Sequence, residues 1–63
     1  MIKKAFHILV VDDDNRIREL VKQYLEENKF LVTSAKDVFD AKQKLELVKF
    51  DIIVLDIMMP GES

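Results

Sequence analysis

The two longest uninterrupted apolar runs in this sequence are Ile8, Leu9, Val10 and Val11 near the start, and Ile52, Ile53, Val54 and Leu55 near the end. Aliphatic runs of this length, rich in β-branched residues, suit strands covered on both faces, the usual situation in a parallel sheet. Between the runs the period changes. Ile17, Leu20, Val21, Tyr24 and Leu25 recur at the spacing of one helix face, as do Val38, Ala41, Leu45 and Val48. Residues 30–35 mix Thr33 and Ser34 with Phe30, Leu31 and Val32, a composition suited to a strand nearer a sheet edge. The expected elements are strands over 5–11, 30–35 and 51–55 and helices over 15–28 and 37–48, with Asp14 as the N-cap of the first helix.

A β-α-β-α-β order with a helix in each connection predicts an α/β fold with a parallel sheet. Crossovers between parallel strands are right-handed, so if the first strand lies between the other two, the helices cover opposite faces and the strand order is 2-1-3. An order of 1-2-3 also satisfies the connections, but it places the most polar strand in the middle. In the 2-1-3 order the third strand, composed like an interior strand, has one unpaired edge, which natural sheets usually avoid. The expectation is that the chain is part of a larger unit, continued by further strands and helices or covered by a second copy.

Composition narrows the chemistry. The 63 residues include no cysteine, which excludes disulfides and thiolate metal sites and is compatible with a reducing, cytoplasmic setting. The apolar runs are far too short to span a membrane, and the basic start lacks the pattern of a secretory signal. A formal net charge of −2 argues against direct nucleic acid contact from this segment. A DNA-binding role would need a separate domain.

Parallel strands point the same way, so Asp12 and Asp13 after the first strand and Asp56 after the third are expected at one sheet edge. A 2-1-3 order reverses direction between those strands, and such switch points are where open α/β sheets bind ligands. Two carboxylates about 4 Å apart repel by roughly 4 kcal/mol at an effective dielectric near 20, which favours a bound cation or a shared proton. Oxygen donors without His or Cys suit a hard ion such as Mg²⁺. With that ion present, Asp56 is a candidate nucleophile toward a phosphoryl group, and the main-chain carbonyl of Met58 a further ligand. Pro60 and Gly61 give the following loop a local cause for its turn.

The segments ILVVDDD, IREL and IIVLDIMMPG together resemble the receiver domain of bacterial two-component response regulators, in particular the OmpR type, which carries a separate winged-helix DNA-binding domain. The resemblance covers the whole chain but only the amino-terminal half of a receiver. It implies a flavodoxin-like fold, a phosphoacceptor rather than a turnover enzyme, and a histidine kinase as partner. It further implies that Asp56 receives the phosphoryl group, that Asp13 binds Mg²⁺ directly, Asp12 mainly through water, and Met58 through its carbonyl. The Ser or Thr after strand 4 and the Lys after strand 5 of a complete receiver have no counterpart here, and Thr33, Ser34 and Ser63 are not substitutes. Lys29 and Val38 stand where the family often has glycine. Because a left-handed non-glycine residue costs roughly 1 kcal/mol, the turn after the first helix is expected to use Asn28 instead of Lys29.

Other notable residues have plainer expected roles. His7 is expected to be a packed or edge strand residue, Tyr24 a core residue and Asp14 a cap. Met58 and Met59 are expected to pack under their loop, while Lys36, Lys42, Lys44 and Lys49 form a wet face. Two other functions compete. Asp12 and Asp14 resemble the Asp-x-Asp of haloacid-dehalogenase-like phosphatases, although Asn15 and Arg16 follow where that family has a small β-branched residue and Asp56 is left without a role. The unpaired third strand could instead mark a truncated interaction module that self-associates as a homo-oligomer.

Overall fold

The computed structural model describes residues 5–55. Within them the order is β1 (His7–Val11), α1 (Asn15–Glu27), β2 (Leu31–Ala35), α2 (Val38–Leu47) and β3 (Ile52–Leu55), so each expected element is present and one or two residues shorter at its ends. The sheet is parallel with order β2-β1-β3, as the composition of the strands predicted. Leu9 lies opposite Thr33 on one side and Ile53 on the other, and Val11 opposite Ala35 and Leu55.

Side chains alternate along a strand, and that alternation sorts the core. Leu9, Val11 and Ala35 form a buried cluster closed by Ala41 of α2, with Val38 and Phe50 packed against it. Ile8 and Val10, also buried, face the opposite way, toward the side on which α1 packs against β1 and β2. Among these elements β3 meets only β1, and all four of its residues are exposed.

His7 has the packed role expected of it. Its ring nitrogen Nε2 pairs with Thr33 Oγ1 at 2.8 Å, and its ring tilts against Phe50 with centroids 4.5 Å apart. Its main chain exchanges two bonds with Asp51: His7 N–H donates to the Asp51 carboxylate and Asp51 N–H donates to the His7 carbonyl, both at 2.8 Å. This reciprocal pair ties the entry of β3 to the entry of β1.

Three expectations need correction. Tyr24 is not in the core: it is 65% exposed, and no residue of α1 is fully buried. The helix lies over two strands, so only part of its apolar stripe has anything beneath it. The left-handed residue after α1 is Lys29, with φ of 74°, while Asn28 keeps φ of −95°. The cause is a Schellman arrangement: Phe30 N–H donates to Leu25 O and Lys29 N–H to Glu26 O, which requires the left-handed residue at position 29. Finally, Lys44 is not simply a solvated lysine, because its ammonium donates to the carbonyl of Ser34 at 3.3 Å and pairs with Asp40 at 3.1 Å.

Candidate functional site

The loop that joins β1 to α1 carries the acidic residues Asp12, Asp13 and Asp14, and the chain assigns them different tasks. Asp14 is the N-cap of α1: its Oδ1 accepts from Arg16 N–H at 2.9 Å and from Ile17 N–H at 3.3 Å. A capping carboxylate satisfies free helix donors and suits the positive end of the helix dipole. That commitment fits the expected cap and weighs against Asp14 as the acid/base of a phosphatase.

Asp12 continues the line of β1 and is only 8% exposed. Its N–H extends the ladder by donating to Ala35 O at 3.2 Å, and its Oδ1 accepts from Asp14 N–H at 2.9 Å. Its carbonyl accepts from Arg18 Nη1 at 2.9 Å, and the other arm of that guanidinium, Nη2, donates to Asn15 Oδ1. Three of Asp12's polar groups are therefore fixed, while its neighbour Asp13 stands exposed. Adjacent carboxylates, one held and one accessible, offer only oxygen donors, the donor set that fits a hard divalent cation.

The other two expected ligands, Asp56 and Met58, lie outside the described residues, as do Met59, Pro60, Gly61 and Ser63. Among the described residues no group of three or more His, Cys, Asp or Glu side chains is placed to hold a metal ion. The structure does carry β3 up to Leu55, in register with Val11.

Sequence reasoning did not single out Arg18. Its signal was a basic residue one helical turn past an acidic loop, a pattern too common to choose without seeing what the side chain reaches. On α2, Asp40 is the residue with an altered acidity. The N–H of Lys36, and next the ammonium of Lys44, hold its carboxyl below the ordinary value. Asp37 caps that helix by accepting from Asp40 N–H at 2.7 Å. These contacts lock α2 onto β2 and are separate from the acidic loop. Among the described residues no helix is long and apolar enough to cross a membrane.

Comparison with known proteins places this geometry. Residues 8–63 match the family described as the response regulator receiver domain. The chain is 52% identical over 57 residues to Protein PetR of Rhodobacter capsulatus, covering 90% of this chain and 24% of that protein. It is 44% identical over 54 residues to the transcriptional regulatory protein ResD of Bacillus subtilis, covering 86% of this chain and 22% of that protein. The chemotaxis protein CheY4 of Vibrio cholerae superposes with a TM-score of 0.88 at 33% identity, over 92% of this chain and 48% of that one. The chain thus spans about a quarter of these curated relatives' length and about half of the CheY4 chain.

Proposed function

The chain belongs to the response regulator receiver domain family, and from that premise we propose that it accepts a phosphoryl group on Asp56 from a histidine kinase, with Mg²⁺ held by Asp12, Asp13, Asp56 and the carbonyl of Met58. The observation that carries this reading is the β1–β3 register. Val11 is paired with Leu55 in a parallel ladder, and in the sequence each of these two residues is followed by an aspartate, Asp12 and Asp56. The ends of neighbouring parallel strands are separated by roughly 4.8 Å, a spacing at which two carboxylates can share one cation.

In this scheme each residue has a defined task. Asp12, fixed through its N–H, its carbonyl and Oδ1, supplies a stationary negative charge. Asp13, exposed beside it, is the direct metal ligand. The Asp56 carboxylate attacks phosphorus in line with the leaving group, forming an aspartyl phosphate while the bond to the donor breaks. When bound, Mg²⁺ draws charge from the phosphoryl oxygens. We place residues 1–63 as the amino-terminal half of a receiver and the protein in the OmpR type. Support comes from the fraction of CheY4 that is matched and from a relative named a transcriptional regulatory protein.

The test is phosphorylation of the full-length protein by a small-molecule phosphodonor. We expect Mg²⁺-dependent incorporation that Asp56→Asn abolishes; label retained in that variant would assign the acceptor elsewhere. The open β3 supports one further reading, in which a second copy pairs along that strand. Light scattering separates the two, since a well-folded monomer rules out the homo-oligomer.

A further inference from the structure

We propose that Arg18 is a positioning residue for the divalent-cation site, its guanidinium holding the main-chain carbonyl of Asp12 and thereby fixing the direction in which the Asp12–Asp13 carboxylates are presented. The proposal rests on the cation-binding role given above and assigns to α1 a part in it.

The geometry is that of a brace. Arg18 Nη1 donates to the Asp12 carbonyl at 2.9 Å and Nη2 to the side chain of Asn15. One rigid fork thus spans the turn from the last residue of the strand ladder to the first residue of the helix. The main-chain N–H of Arg18 is itself fixed on Asp14 O at 2.9 Å, so the brace is anchored in the helix it stabilises. A peptide unit is planar, so the direction of the Asp12 carbonyl also sets the orientation of the Asp13 N–H and the starting point of its side chain. Holding that carbonyl is therefore a way of aiming Asp13.

The choice of partners matters. A guanidinium beside three aspartates would be expected to pair with a carboxylate, yet among the described residues Arg18 forms no ion pair and binds two neutral oxygens. It pairs with none of the three carboxylates and instead shapes the backbone that carries them. The planar, two-armed donor set makes arginine suited to this and lysine a poor replacement.

Position and charge make opposite predictions. As a charge alone, Arg18 repels a dication, so removing it tightens Mg²⁺ binding. As a brace, its loss loosens the ligands and weakens binding. Mg²⁺ titration of the full-length protein by calorimetry, comparing wild type with Arg18→Met and Arg18→Lys, decides between them. We expect Arg18→Met to weaken Mg²⁺ binding about 10-fold, the lower end of what loss of an outer-shell partner does to metal sites. Arg18→Lys, which keeps the charge but not the fork, should fall between Arg18→Met and wild type. Equal or tighter binding in Arg18→Met, or wild-type binding in Arg18→Lys, overturns the proposal. Amide exchange reads the brace without metal: the Asp14 N–H, bonded to Asp12 Oδ1, should exchange faster in Arg18→Met, and unchanged exchange overturns it too. Absence of Mg²⁺ binding by the wild type would instead remove the proposed function, leaving the exchange measurement to judge the brace.

Discussion

Ile8, Leu9, Val10 and Val11 of β1 and Ile52, Ile53, Val54 and Leu55 of β3 are nearly interchangeable in composition and paired in register. Yet the first four are 0–3% exposed and the second four 41–50%. The difference lies in their neighbours. Among the described residues, β1 has a strand on each side and a helix over each face, whereas β3 has β1 on one side and no helix packed on it. Apolar composition states how much cover a strand needs; only topology supplies it. The exposed apolar residues of β3 are one physical argument for the proposal that this chain is half of a receiver.

The largest expected effect comes from making that comparison one of mutations. Leu9→Ala should cost about 3–5 kcal/mol, the range for truncating a fully buried leucine, measured by denaturant unfolding of the full-length protein. If the second half of a receiver covers β3, Ile53→Ala, at the paired position, should cost about 2–5 kcal/mol as well. A loss well below that would show that β3 stays open and would break the proposed domain assignment.

A smaller effect is expected at the turn that delivers β2 to β1. Lys29→Gly removes a left-handed non-glycine residue and should raise stability by up to about 1 kcal/mol, offset in part by the greater freedom of glycine in the unfolded chain. Thermal unfolding reads this directly. The same change at Asn28, whose φ is negative, should not stabilise.

The smallest effect is a pH dependence on α2, at Asp40. Its folded acidity is strengthened, first by the Lys36 N–H and then by Lys44, so its pKa lies below the ordinary 3.8. A depressed carboxylate contributes stability that is fully present above its unfolded value and is lost as pH falls through the folded one. Unfolding measured from neutral pH down to below about 4 should therefore show Asp40→Asn converging on the wild type only at the acid end of the range.

Much of this was legible in the sequence because it rests on local pattern. Uninterrupted aliphatic runs marked β1 and β3, the threonine and serine of residues 30–35 marked an edge, and right-handed crossovers then left little choice of order. The cap at Asp14 follows from residue chemistry at a helix start. What was not legible depends on contacts beyond the local pattern. The stripe of α1 shows which side of the helix is apolar but not how much sheet lies below it, so Tyr24, on that stripe, lies exposed and not in the core. Lys29 takes a left-handed conformation because the Schellman bonds from Phe30 and Lys29 select that position, outweighing residue preference. Arg18 becomes visible only when its reach across the loop to Asp12 is seen. For the acidic site the structure shows the strand register, and Asp56 itself lies outside the described residues.

The account stands on the carboxylates beyond Val11 and Leu55 sharing one divalent ion. Mn²⁺ added in place of Mg²⁺ to isotope-labelled full-length protein broadens amide signals according to their distance from the metal. We expect the signals of Asp13 and Asp56 to broaden together at the same low metal concentration. Broadening at residues 12 and 13 with residue 56 left sharp would contradict the shared site.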